Sequence, residues 1–176
     1  MGKELVKNIS PEILAKAKKI KLILADCDGV LTDTGTYYSA DGEIMKRFSI
    51  RDGMGVERLR KYAGVETGIV TGEASDVVKA RAKKLNITEL HLGVKNKAAV
   101  LVEILEKNNL TAEEVAFMGD DTNDTDIMKL VGLSACPADA TKFAKDVADI
   151  IVESNGGFGA FRDLAEIIIS SQNEGI

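Results

Sequence analysis

Two acidic clusters carry most of the chemistry this chain can offer. The first, Asp26-Cys27-Asp28-Gly29-Val30-Leu31-Thr32-Asp33, follows the apolar run Ile20-Lys21-Leu22-Ile23-Leu24-Ala25. In extended backbone, residues i and i+2 face the same side, so Asp26 and Asp28 are expected to project together. Two carboxylates that close repel unless a cation or a shared proton intervenes. Read as turn aspartates they need no further account, since Asp-Gly is a common turn pair. A calcium loop fits poorly, because its twelve-residue pattern wants an oxygen ligand where Val30 stands. The second cluster, Gly119-Asp120-Asp121-Thr122-Asn123-Asp124, follows the apolar run Val115-Ala116-Phe117-Met118. Asn123 or Asp124 is expected to cap the next helix. Capping does not account for Asp120 and Asp121 in succession. Counted from Asp121, the glycine and final acid of a calcium loop fall on Asp126 and Gly132, so that reading fails again. An aspartate at the end of a strand beside Asp26 would instead complete an oxygen-rich Mg²⁺ site.

Between the clusters lie Thr71-Gly72, after the run Val65–Val70, and Lys97 at the head of a helical stretch. A hydroxyl and backbone N–H groups at a strand end can bind phosphate oxygens. A lysine supplies charge to the same oxygens. Each is commonplace alone: Thr-Gly is an ordinary helix approach and a lysine is by default a surface residue. In this order, each after a strand, they form a pattern.

The elements that must position these groups alternate. Ser10-Pro11 reads as an N-cap with proline at the first helical position, and the helix is expected to run to about Lys19. Residues 20–25 read as a buried strand. Val65–Val70, Glu89–Leu92, Val115–Met118, Leu133–Cys136 and Asp149–Val152 read as further strands. Helices are expected over Ser75–Leu85, Lys97–Asn108, Asp124–Leu130, near Thr141 and over Phe161–Ser171. Strands alternating with helices imply an α/β fold, a Rossmann-like parallel sheet with helices on both faces. One segment breaks the rhythm. Thr36–Phe48 has two β-prone arms around Asp41-Gly42, a strong hairpin signal. Inserted after the first strand, the hairpin would stand over the carboxyl edge of the sheet, where open α/β folds bind ligands.

Composition narrows the function further. The chain has 176 residues, one domain's length, so 1–176 is expected to be a single domain. Hydrophobic residues make up 45% and charged residues 29%, enough for a substantial core. The net charge of −5 disfavours nucleic acid as a partner. No apolar run approaches the roughly 20 residues of a membrane span. Met1 to Ser10 lacks the apolar core of a signal peptide, so a cytoplasmic location is expected. Cys27 and Cys136 stand apart in apolar runs, which fits a reducing compartment rather than a disulfide framework. The single histidine, His91, excludes zinc sites that need two or three histidines and leaves a Ser-His-Asp triad at most one candidate base. The chemistry falls to carboxylates.

The four elements DCDGVLTD, TG, Lys97 and GDDTND, in this order, resemble the haloacid dehalogenase superfamily of phosphohydrolases over about Lys21 to Arg162. The resemblance implies Asp26 as nucleophile and Asp28 as general acid/base. It implies Thr71 and Lys97 as phosphate-binding residues, with Gly72 beside them. It implies Asp120 as an Mg²⁺ ligand beside the Asp26 carboxylate and the Asp28 carbonyl, with Asp121 holding a metal-bound water. For Asp28 to act as an acid near neutral pH, burial and neighbouring negative charge are expected around it.

Only the hairpin and a helix lie between Asp33 and Thr71, so no cap domain is expected. Chains of this length with GVLTD and the tail Gly156-Gly157-Phe158-Gly159-Ala160-Phe161-Arg162 resemble the 3-deoxy-D-manno-octulosonate 8-phosphate phosphatase family. The resemblance extends to Arg51-Asp52-Gly53 and Arg81 as substrate-loop residues. It implies a phosphorylated eight- or nine-carbon 2-keto-3-deoxy sugar acid as substrate, and a homotetramer whose hairpins pack together and cover neighbouring sites. Two features depart from the eight-carbon pattern. Glu73 stands where arginine is usual and Lys84 where glutamate is usual, a pair that resembles the nine-carbon branch and leans the reading that way. Glu73 also suits a helix N-terminus on its own. Asn96 replaces a common aspartate before Lys97 and is expected to loosen the lysine. Competing readings are a phosphotransferase, a broad-specificity sugar phosphatase, a catalytically idle relative and a receiver-like phosphorylation domain. A receiver would need an aspartate where the strand ends Ile69-Val70-Thr71-Gly72.

Overall fold

The computed structural model describes residues 9–173; the expectation of no leader falls largely on residues outside that range. Helix α1 (Pro11–Ala17) begins as its sequence requires, with Ser10 Oγ accepting the Ile13 N–H at 3.3 Å and Pro11 at the first position. It ends before Lys19, where the backbone tightens to a Lys19 N–H bond on Lys16 O. Then come β1 (Leu22–Ala25), β2 (Thr32–Ser39), β3 (Gly42–Phe48), α2 (Ile50–Ala63), β4 (Glu66–Val70), α3 (Asp76–Lys84) and β5 (Glu89–His91). The chain continues through α4 (Lys97–Asn108), β6 (Val115–Met118), α5 (Thr125–Met128), β7 (Leu133–Cys136), α6 (Lys142–Lys145), β8 (Ile150–Ile151) and α7 (Ala160–Gln172).

Six strands form one parallel sheet in the order β5-β4-β1-β6-β7-β8, as the alternating pattern predicts. Its faces are sorted by strand alternation. Ile23, Ala25, Ile69, Ala116 and Met118 pack with Leu59 of α2, Val78 of α3 and Phe161 of α7. Leu22, Leu24, Val115 and Phe117 turn the other way, to Leu101 and Ile104 of α4 and Ile127 of α5. β2 and β3 pair antiparallel as a separate two-stranded hairpin, with Gly42 at φ +116° where its turn demands it. No cap domain interrupts the described residues. The helix expected over 124–130 is shorter, a 3₁₀ turn at Thr122–Asp124 running into α5.

Register fixes where the strands end. Ala25 is level with Ile69 of β4 and with Met118 of β6, so Asp26, Thr71 and Asp120 leave the sheet at one edge. The chain runs outward from β1 through β4 to β5, then returns to β6 on the other side of β1. That reversal opens a crevice at the carboxyl end of the sheet.

The glycine-rich tail holds the loop after β1. Gly157 N–H bonds to Val30 O at 2.9 Å, and Gly156 lies so close that a Cβ there would sit 1.8 Å from Gly29 O. Only a residue without a side chain lets the two backbones meet. Gly156→Ala is therefore expected to cost about 1–3 kcal/mol, the range for overpacking. Gly72→Ala, where the nearest atom to an added Cβ is 3.7 Å away, should stay within about 0.5 kcal/mol. Urea denaturation of both variants checks the contrast.

Candidate active site

Asp26 follows β1 directly and continues its ladder, its N–H bonded to Met118 O at 2.9 Å. The residue is 5% exposed, and its carboxylate takes the Cys27 N–H on Oδ1 at 2.7 Å. Lys97 Nζ lies 2.9 Å from Asp26 Oδ2 and 2.6 Å from Asp124 Oδ1. Lys97 is the first residue of α4, and Asn96 Oδ1 caps that helix by accepting the Ala99 N–H at 3.0 Å. Asn96 thus anchors the helix start, and the two carboxylates fix the lysine, so the expected loosening is absent. Burial disfavours the Lys97 charge, but Asp26 and Asp124 more than offset that and hold it above its ordinary value.

The carboxylates outnumber that one ammonium. Burial, then the charge of Asp124, pushes Asp26 up to about 6 against the pull of Lys97. Burial, then Asp26, Asp124 and Asp121, pushes Asp120 up to about 8. One carboxylate oxygen each from Asp26, Asp120 and Asp124 lie within 4.8 Å of one another. Oxygen donors crowded in this way and short of positive charge fit a hard divalent cation such as Mg²⁺.

Asp124, expected as a helix cap, stands at the N-cap position of α5 without a side-chain bond to that helix. It completes a capping box on the 3₁₀ turn before it and also organises the loop. Its Oδ2 accepts the Asp120 N–H at 2.9 Å and the Asp121 N–H at 3.4 Å, while Oδ1 meets Lys97. Asp121 shares the capping as the other half of that box, and its Oδ1 takes the Thr122 N–H at 2.7 Å. Asp121 lines the cavity but lies outside the three-carboxylate group.

Asp28 reaches the same cavity by a different route from the one expected. The backbone turns after Asp26, with the Leu31 and Thr32 N–H groups both bonded to Cys27 O, so the i, i+2 argument does not apply. Thr32 Oγ1 donates to Asp28 Oδ1 at 3.2 Å, and Lys46 Nζ lies 2.5 Å from Oδ2. The close neighbour of Asp28 is thus a cation, where negative charge was expected. Lys46 is buried on β3 and also lies 3.3 Å from Glu43 Oε2. Burial works against its charge, but the hydrogen bonds to Asp28 and Glu43 raise its proton affinity overall. Sequence reading missed Lys46. A lysine in a polar hairpin carries no local signal of burial.

Thr71 is buried at the end of β4, and its Oγ1 accepts the Glu73 N–H at 3.3 Å. Asp26, Asp28, Thr71, Gly72, Glu73, Asp120 and Asp121 line one cavity of about 270 Å³, joined by Thr34 and Asn123. The other substrate-loop residues stand elsewhere. Asp52, 2% exposed, turns inward and accepts the Gly159 and Arg162 N–H groups at 3.2 and 3.0 Å, capping α7 from α2. Gly53 is buried under Arg81, which donates to Ser49 O at 2.9 Å and covers the Phe48 ring. Arg51 is exposed at the head of α2. Asp52, Gly53 and Arg81 therefore brace the hairpin–helix junction. Glu73 and Lys84 are both exposed, and no ion pair joins them among the described residues. His91 pairs with Glu89 at 2.6 Å on the edge strand β5, away from the cavity.

The comparisons with known proteins agree with this geometry. The model of the haloacid dehalogenase-like hydrolase family matches residues 72–160. The chain is 37% identical over 166 residues to the 3-deoxy-D-manno-octulosonate 8-phosphate phosphatase KdsC of Escherichia coli K12, covering 94% of this chain and 88% of the relative. A 3-deoxy-D-manno-octulosonate 8-phosphate phosphatase structure from Moraxella catarrhalis, in complex with magnesium ion, phosphate ion and KDO, superposes with a TM-score of 0.88. It is 34% identical, with 92% of each chain covered. A cobalt-bound deoxy-D-mannose-octulosonate 8-phosphate phosphatase from Haemophilus influenzae superposes at 0.86 with 34% identity, covering 89% of this chain and 91% of that one. On the family match and the extent of these likenesses, the chain belongs to the haloacid dehalogenase-like hydrolases.

Proposed function

We propose that this chain hydrolyses the terminal phosphate monoester of a 2-keto-3-deoxy sugar acid, the eight-carbon acid in first place, through a phosphorylated Asp26. The observation that carries the reading is Asp26 held by buried Lys97 in the cavity that Asp28 and Thr71 also line. The eight-carbon choice is supported by the substrate named for the relatives. The Glu73–Lys84 pattern supports the nine-carbon acid as second reading.

The chemistry follows from these positions. An Asp26 oxygen attacks phosphorus, forming an aspartyl phosphate as the bond to the sugar oxygen breaks. Asp28 gives its proton to that departing oxygen, then takes one from the water that hydrolyses the aspartyl phosphate. Thr71 Oγ1 and the Gly72 N–H face the equatorial phosphate oxygens, and Lys97 balances charge beside the attacking carboxylate. Asp26 and Asp120 would hold Mg²⁺, which when bound neutralises repulsion between carboxylate and phosphate.

A homotetramer is part of the proposal. Tyr37, Tyr38, Ile44 and Met45 of the hairpin are exposed together with Ile50, which is 83% exposed, and Arg51 stands beside them at the head of α2. Hairpin packing between subunits would cover this apolar surface and bring Arg51 to a neighbouring cavity. No helix among the described residues is long and apolar enough to cross a membrane. A cytoplasmic site is supported by the free, buried Cys27 and Cys136.

Phosphate release from the eight- and nine-carbon acid phosphates, measured side by side with Mg²⁺, should show a higher kcat/KM for the eight-carbon ester. Asp26→Asn should abolish turnover, and Asp28→Asn should lower it by about 100-fold or more. Asp26→Asn with wild-type turnover would sink the mechanism.

The acidic cluster also sets a pH dependence. Asp120 titrates at about 8 when folded against an ordinary value of 3.8, so between those limits the folded chain holds more protons than the unfolded one. Its contribution therefore lowers stability as pH rises through that window. In EDTA, the melting temperature of Asp120→Asn is expected to exceed that of the wild type by a margin that grows from pH 5 to pH 8. Mg²⁺ should raise the wild-type melting temperature, most at high pH, and leave the variant unmoved. Scanning calorimetry in EDTA and in Mg²⁺ checks both signs.

A further inference from the structure

We infer that Lys46 is the positioning residue of the acid/base Asp28, through which the hairpin takes part in the first chemical step; the inference rests on the phosphatase reading above. Lys46 lies on β3, opposite Thr36 in the hairpin register, yet its side chain is 1% exposed. A long cation is buried only where partners replace its water. Those partners are Asp28 Oδ2 at 2.5 Å and Glu43 Oε2 at 3.3 Å. Glu43 is held in turn by the hydroxyl of Ser75, whose Oγ also caps α3 through the Val78 N–H at 3.4 Å. A continuous chain of contacts thus runs Ser75, Glu43, Lys46, Asp28. It starts four residues beyond Thr71 and ends on the carboxylate assigned to proton transfer.

The other oxygen of Asp28 takes Thr32 Oγ1 at 3.2 Å, and that hydroxyl also meets Cys27 O at 3.4 Å. Two donors on two oxygens fix the carboxyl plane, whereas one would leave it free to rotate about its bond to the chain. While Asp28 is a carboxylate the Lys46 bond is the charge-assisted one and the stronger. The proton Asp28 delivers sits on Oδ1, which does not face the ammonium, with the Thr32 hydroxyl then on Cys27 O. Asp28 nevertheless stays open to the cavity, its side chain 27% exposed. Lys46 therefore acts by aiming a carboxyl that must meet the leaving oxygen, and it does not line the cavity itself.

The leaving group separates this role from a merely structural one. An alkoxide departing from a sugar needs a proton from Asp28, whereas a nitrophenolate departs without one. The ratio of kcat/KM for the sugar-acid phosphate to kcat/KM for p-nitrophenyl phosphate reports proton delivery in the step that phosphorylates Asp26. Lys46→Met is expected to lower this ratio by about 100-fold, the low end of general-acid contributions. Asp28→Asn should lower it comparably, and the double variant should fall no further than Asp28→Asn alone, because both act through one carboxyl. An unchanged ratio in Lys46→Met, or losses that multiply in the double variant, would overturn the inference. Should Lys46→Met fail to fold, Glu43→Gln loosens the same ammonium and is expected to lower the ratio in the same direction; an unchanged ratio there overturns it equally. Nitrophenyl phosphatase activity that vanishes in Asp26→Asn establishes the phosphatase reading separately, so failure of Lys46 to matter is distinguishable from failure of that reading.

Discussion

The buried ammonium of Lys97, between Asp26 and Asp124, is the interaction on which the rest of the site depends. A lysine 3% exposed is tolerable because two carboxylates replace its water, and the lysine together with backbone N–H groups offsets the cost of burying those carboxylates. The pair of contacts joins three separate elements: the end of β1, the head of α4 and the loop after β6. Asp124 carries the constraint onward, because its second oxygen holds the Asp120 and Asp121 N–H groups. One cation thereby sets both Asp26 and the loop that crowds it with negative charge. The excess of carboxylates left over is what makes the cluster suited to a divalent cation.

That arrangement needs close tolerances from the scaffold. The parallel register of β1 with β4 and β6 brings three chain ends level, and a one-residue slip in either pairing would turn the wrong side chain into the crevice. The loop after β1 is fixed from its far side by Gly156 and Gly157, which approach its backbone as no larger residue can. The acidic site is thus clamped between α4 on one flank and the tail on the other. Asp52 extends the clamp by capping α7, which carries Phe161 into the core beneath the tail.

The hairpin presents two kinds of side chain that the fold keeps apart. Its outward residues, Tyr37, Tyr38, Ile44 and Met45, are exposed and apolar, while Lys46 points inward to Asp28. Met45 and Lys46, successive on β3, leave it on opposite faces, and the pairing with β2 is irregular at Tyr37 and Tyr38. Arg47, the next residue, ties the hairpin to the tail through Gly157 O at 2.9 Å and stacks on Phe158. The hairpin is therefore anchored at its base and exposed towards its tip.

By itself the sequence determined the alternating α/β architecture, the strand ends that carry Asp26, Thr71 and Asp120, and the start of α4 at Lys97. Those features are written in local periodicity and capping, which involve residues close in the chain. Strands 115–118 and 133–136 and helix 97–108 emerge with the limits their apolar pattern predicts. What tertiary structure alone decided is which polar groups meet. Asp124 reads locally as a cap, and besides that role it meets Lys97, 27 positions away. Asp52 reads as a substrate residue but caps a helix 107 positions on. Lys46 reads as hairpin surface but meets Asp28 across 18 positions. Period and propensity say which way a side chain faces along its own element. They do not say which carboxylate another element will bring to it, because that pairing is fixed by the burial of charge once the sheet has closed.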